Sequence, residues 1–337
     1  METFLFAINA IMPILLLILL GYVLKRKNVF EEVWFKKGNT LIFLVCLPVL
    51  LFYNVYNVES FSAINWTAVW YSEIVITILF LVGIVFVKYT IPDDRQKGVI
   101  LQCIFRSNYG IIGIPLAEAL GGAEGVGVAA VLSAFSIPTF NILATIALTM
   151  FRKENGGKAD IKGVLKSVAK NPLIIGVVSG LVVLGIRTLL PVGVDNQPVF
   201  TIKNDLPFLY TAISNLAKIA SPLALIILGG RFEFSAIKGM KKQIIIGTLA
   251  RVLAVPLLAL GASILLTSCT DFFEMDAVAY PALLALFGSP VAVSSAIMAQ
   301  EMDNDGVLAG QLVVWTSFIS TATLFFFIYA LRALGLL

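Results

Sequence analysis

The chain has 337 residues, of which 59% are hydrophobic and only 13% charged, with a mean hydropathy of +0.96 and a formal net charge of +4. A soluble domain carries about a quarter charged residues, so this composition implies an all-α integral membrane protein and gives no ground for a nucleic-acid partner. Histidine is absent and the three cysteines are scattered, which removes imidazole catalysis, zinc spacings and a disulfide framework; no catalytic group, metal or cofactor is expected.

At about twenty apolar residues per crossing, hydropathy predicts ten spans: near 4–24, 38–57, 66–87, 96–119 and 125–151, then near 172–190, 208–230, 243–268, 278–299 and 307–334. The first run has no basic region before it and closes on Lys25-Arg26-Lys27, so it is expected to stay as an inside-anchored helix rather than be cleaved. The fourth span, RSNYGIIGIPLAEALGG, and the ninth, ALFGSPVAVSSAIMAQ, are interrupted by glycine and proline at mid-depth. Between the fifth and sixth spans lies a basic, polar segment that reads as a cytoplasmic linker, with a lipid-binding patch as the alternative. Loops after the odd-numbered spans hold 18 Lys and Arg, against 3 on the opposite side. That bias follows the positive-inside rule and puts both termini outside.

Five spans per half is an odd number, so a second half repeating the first must enter the membrane inverted. Prolines recur in order: Pro13 and Pro172 open the first and sixth spans, and Pro48 and Pro222 interrupt the second and seventh. The expected organisation is a first five-helix repeat (1–151), a linker (152–171) and a second repeat (172–337).

Unwound backbone is tolerated in a membrane only where protein or a water-lined cavity surrounds it. Paired interruptions at matching places point to a transporter's binding site. Ser289 is expected to cap a half-helix with Pro290 at its first position, and Pro115, after Gly113, to open the second half of the fourth helix. Two positive helix ends then meet at mid-membrane and favour an anion. Asn108, Ser294 and Ser295 flank the breaks. The plainer alternative is a pair of proline kinks without a site. Arg106 either counters the anion or snorkels to the surface. Glu73 is the one carboxylate well within a span, and is read as a proton carrier or, at even weight, as a structural partner. Arg251 stands at a position pseudo-equivalent to Glu73. Lys218 weighs towards a structural role, and Glu118 and Glu124 towards solvent.

The run Asn108-Tyr-Gly-Ile-Ile-Gly113-Ile-Pro115, with Asn39 nine residues before Pro48 and Ser72-Glu73-Ile74 in the third span, resembles the auxin efflux carrier family. That family includes plant auxin exporters and bacterial carriers linked to malate or malonate, and the likeness is to the bacterial type. The resemblance implies broken fourth and ninth helices that cross, and a scaffold of helices one, two, six and seven. It also implies a transport unit of the remaining helices that moves like an elevator, with Asn108 on a substrate carboxylate and Glu73 as the family's acidic residue. Two departures stand out: the plant carriers' lysine in the second helix is Leu44 here, and their second proline in the ninth falls at Ser295. Their long cytoplasmic loop is missing too, so auxin is not inferred as the substrate.

The expected function is that of a secondary transporter in the plasma membrane (a bacterial inner membrane) that exports or exchanges small organic anions, carboxylates above all. The alternative is an anion channel or uniporter driven by membrane potential alone; an intramembrane enzyme is disfavoured. Expected partners are the anion and membrane lipid, with a homodimer left open.

Overall fold

Three prolines in this chain sit at the same offset behind a widened turn. In the computed structural model, π-helical turns at Ile42–Cys46, Tyr109–Gly113 and Ala250–Ala254 are followed two residues later by Pro48, Pro115 and Pro256. A proline lacks the N–H for an i→i−4 bond and its ring collides with the preceding turn. A π-turn opens the ladder just enough to admit it, so the helix continues instead of breaking.

The structure describes residues 2–57, 65–151, 166, 169–189, 200–232, 237–270 and 273–337. Most of the expected linker, 152–165 with 167–168, lies outside them. Among the described residues all regular structure is helical, apart from one isolated β-bridge. In chain order the helices are α1 (Glu2–Arg26), α2 (Glu32–Leu41), α3 (Leu47–Tyr56), α4 (Trp66–Thr90), α5 (Asp94–Phe105) and α6 (Ile114–Met150). The second half holds α7 (Pro172–Leu189), the short α8 (Ile202–Asp205), α9 (Pro207–Gly230), α10 (Ile237–Leu249), α11 (Val255–Cys269), α12 (Tyr280–Gly288), α13 (Val293–Glu301) and α14 (Gly306–Ala333). Within α6, Gly122 has φ 59° and ψ −145°, a left-handed backbone that favours glycine, and it precedes the apolar stretch Gly127–Met150.

Among the described residues six helical stretches are long and apolar enough to cross a membrane: Glu32–Tyr56, Trp66–Thr90, Gly127–Met150, Pro207–Gly230, Gly239–Cys269 and Gly306–Ala333. Pro172–Arg187 and Ala277–Gly288 are shorter apolar helices. Large side chains such as Trp70, Val82, Leu258 and Leu265 are exposed, whereas Gln102, Arg106, Asn108, Asn141, Arg251 and Gln311 are buried. An apolar exterior around a polar interior is the pattern of a multi-pass membrane protein.

Close helix pairs use small residues. α1 packs against α9 and α3 against α7. A side chain at Gly21 would meet the carbonyl of Ile226, one at Gly229 the carbonyl of Ile18, and one at Gly176 the backbone of Pro48. Cys46 and Cys103 are buried packing residues, while Cys269 is exposed. Lys218, Glu118 and Glu124 are exposed.

Candidate functional site

α5 starts on Asp93, whose side chain accepts from the Arg95 amide, and ends at Phe105 because Arg106 turns extended (φ −90°, ψ 120°). The helical path resumes at Tyr109. In the other broken span α12 ends at Gly288, Ser289 is extended (φ −64°, ψ 149°), and α13 begins at Val293 after an extended Ala292. These two breaks meet. Ser107 and Val291 form the antiparallel bridge, and the Asn108 N–H donates to the Pro290 carbonyl at 2.8 Å. The Val291 N–H donates to Thr316 Oγ1 at 3.2 Å. Backbone groups left open by one break are satisfied by the other and by α14, as a low-dielectric interior requires.

The crossing corrects the expected helix starts. Pro115 does not open a half-helix, because the π-turn Tyr109–Gly113 carries the helix past it; Gly113 and Pro115 lie beyond the break. Ser289 does not cap α13: it closes α12, donating its hydroxyl to the Ala285 carbonyl. Pro290 lies in the extended break, three residues before α13 begins, and not at a first helical position.

Arg251 binds the other side of the crossing. Its guanidinium is fully buried and donates to the carbonyls of Ser289 (2.9 Å), Ile104 (3.2 Å), Leu286 (3.1 Å) and Phe287 (3.0 Å). These carbonyls belong to the ends of α5 and α12, where helix dipoles are negative. One cation therefore covers the two ends that would repel an anion. The first turns after the breaks, at Tyr109 and Val293, carry no side-chain cap.

A cavity of about 110 Å³ opens at those starts. A water centre needs roughly 10–15 Å³ of such space, so it has room for several waters or a small ligand. One side is formed by Arg106, Ser107, Asn108, Asn141 and Ser294; the facing side comes from α3, α7 and α9, through Leu47, Leu51, Asn54, Leu173, Ser221 and Ala224. Arg106 is buried, which overturns the snorkelling alternative. It donates to Asn141 Oδ1 and Ser294 Oγ at 2.8 Å each, to the Met298 sulfur, and at 3.5 Å to Gln102 Oε1. All four are neutral. Asn108 Nδ2 and Ser107 Oγ are buried with no hydrogen-bond partner among the described residues.

Of the residues expected from sequence, Arg106, Asn108 and Ser294 come together at this cavity. Gly113, Pro115, Ser289, Pro290 and Ser295 do not line it, and Ser295 is buried with a hydroxyl that has no partner among the described residues. Glu73 also lies elsewhere: its Oε2 accepts from Thr139 Oγ1 at 2.6 Å and its Oε1 has no partner among the described residues. Sequence reasoning missed Asn141, Asn54 and Ser107. A lone asparagine in the apolar run of the fifth span was the available signal for Asn141.

The profile of the family described as Membrane transport protein matches residues 6–328. The chain belongs to that family. This is the family of the auxin efflux carriers, which the Asn108–Pro115 motif resembles. The chain is 25% identical over 182 residues to an uncharacterized transporter of Methanocaldococcus jannaschii. The match covers 52% of this chain and 56% of that relative, so the chain spans little more than half of the relative's length.

Proposed function

We propose that this family member is a secondary transporter of small organic anions, carboxylates above all, which bind at the crossing of the two breaks. One observation carries the reading: Arg106, a buried cation bonded only to neutral groups among the described residues, shares a cavity with the Asn108 side-chain nitrogen, which has no hydrogen-bond partner among those residues. A buried charge without a counter-charge is costly, and a carboxylate supplies both the charge and the acceptor. The uncapped helix starts at Tyr109 and Val293 add positive potential.

The carrier has ten crossings in two inverted repeats in the plasma membrane, with both termini outside. The α1–α9 and α3–α7 pairs support this, because such a repeat exchanges them (first with seventh span, second with sixth). α1, α2, α3, α7 and α9 form the scaffold and the rest the moving unit. The cavity lies on the seam between these groups, which suits an elevator. Coupling runs through a proton on Glu73. Since Glu73 stands outside the cavity, a uniporter driven by potential is the second reading; one charge crossing 100 mV is worth about 2.3 kcal/mol.

Flux of radiolabelled carboxylates into proteoliposomes tests this. Saturable flux that unlabelled carboxylates inhibit is expected. Absence of carboxylate flux, or flux that rises linearly without saturation, overturns the carrier.

A further inference from the structure

We propose that the crossing cavity selects monocarboxylates with a short apolar body and rejects dicarboxylates. This rests on the carrier reading above and goes further, because the lining fixes both the charge and the shape of what it accepts.

Charge comes first. Among the described residues lining the cavity, Arg106 is the single charged side chain. Arg251 lies on the other side of the crossing, and its guanidinium is committed to four backbone carbonyls. Lys218 is exposed and does not line the cavity. The site thus offers one full positive charge, and the helix starts at Tyr109 and Val293 add to it only within their first turn, where the first carboxylate sits. A second carboxylate, held beyond the first turn of those helices, would find no charged side chain among the described lining residues, and a charge taken from water without a partner is unfavourable.

The distribution of polar groups says the same. Donors gather on the broken-helix side: the Arg106 guanidinium, the Asn108 amide and the Ser107 and Ser294 hydroxyls. Apolar lining comes from Leu47, Leu50, Leu51 and Leu173 on the facing helices, and from Ile137 and Phe140 on α6. A carboxylate seated at the breaks directs the rest of its molecule into that apolar part. Asn54 and Ser221 break the apolar surface, but both are neutral. They suit a hydroxyl or oxo group on the body and give no counter-charge to a second carboxylate. At about 110 Å³ the cavity admits a body of a few carbons.

Three four-carbon probes separate charge from size. Wild-type protein in proteoliposomes is loaded with unlabelled butyrate and exchanged against labelled butyrate. Unlabelled butyrate, succinate or butyramide compete at about pH 8, where both succinate carboxyls are ionised. Butyrate should compete, succinate about a hundredfold more weakly, and neutral butyramide not at all. Equal competition by succinate and butyrate overturns the selectivity and leaves the carrier intact. If neither carboxylate exchanges or binds, the carrier reading falls and the selectivity with it. Competition by butyramide as strong as by butyrate removes Arg106 from recognition and overturns the proposal too. The series needs no variant, so it stands even if Arg106→Gln fails to fold. Where that variant folds, it should lose the preference for butyrate over butyramide.

Discussion

The Asn108 amide nitrogen lies 2.8 Å from the carbonyl oxygen of Pro290, joining two breaks that are 182 residues apart in sequence. This bond spends the Asn108 backbone donor on structure and leaves its side chain for the cavity. The same residue therefore holds the crossing together and faces whatever enters it, by two separate groups.

Substitution separates those roles. Asn108→Ala keeps the backbone donor to Pro290 and removes Nδ2. One hydrogen bond to a charged group contributes about 1.5–3 kcal/mol, so affinity for the transported carboxylate should fall about ten- to hundredfold, with the amount of folded protein unchanged. The exposed Glu124→Ala should leave affinity unaltered. Competition binding on purified protein measures both, and wild-type affinity in Asn108→Ala would show that the crossing is a structural joint only.

Arg251 should matter for stability. Its guanidinium satisfies carbonyls at the ends of both broken helices, and no shorter cation reaches four acceptors in that fork. Arg251→Met leaves those carbonyls buried without their donors, at about 1–3 kcal/mol each for groups that find no substitute. A clear fall in melting temperature in detergent is expected, with Arg251→Lys in between. Melting at the wild-type temperature for Arg251→Met would show that the guanidinium is dispensable.

The two breaks were legible in the sequence because glycine and proline inside an apolar run have few other uses. Their detail was not. Pro115 and Pro290 both read as first helical positions, since proline fits there. Pro115 instead follows a π-turn, as do Pro48 and Pro256, and no local pattern distinguishes a proline that starts a helix from one that a widened turn admits. Arg106 was two residues before Asn108 and free, on sequence, to reach the surface. Its burial depends on Asn141, Ser294 and Met298, which tertiary folding brings from two other helices. The intramembrane position of Arg251 was visible, but its partners are backbone carbonyls, which every residue has and which no residue type marks.

Gly229 and Gly21 let the backbones of α1 and α9 approach closely. A Cβ at Gly229 would stand 1.9 Å from the Ile18 carbonyl oxygen, whereas one at Gly261 has nothing within 4 Å. Backbone cannot yield as a flexible side chain does, so Gly229→Ala must push the helices apart. Overpacking of this kind costs about 1–3 kcal/mol. Gly229→Ala should lower the melting temperature and Gly261→Ala should not. Equal melting of the two variants would show that α1 and α9 do not meet as closely as this.

Sidedness is tested across one continuous stretch, Gly239–Cys269. Lys242 and Glu274 are exposed near its two ends. In a Cys269→Ser background, Lys242→Cys should react with an impermeant maleimide only from the cytoplasm, and Glu274→Cys only from outside. Labelling of both from one side rules out the proposed topology.

Glu73 and Arg106 reach the same helix at neighbouring positions. Thr139 donates to Glu73 and Asn141 accepts from Arg106, two residues apart on α6. A change of charge on Glu73 thus acts on the helix that holds the cavity's cation, without Glu73 touching the ligand. Glu73→Gln removes the charge and keeps a carbonyl oxygen to accept from Thr139, so the protein should fold and reach the membrane. If Glu73 carries the coupled proton, flux in this variant should lose its dependence on pH while its saturation by carboxylate persists. Thr139→Val, which leaves the carboxyl in place, should keep a pH dependence. A Glu73→Gln profile that matches wild type across the pH range assigns the driving force to membrane potential instead. In that case an imposed potassium diffusion potential alone should drive uptake in wild type and variant alike.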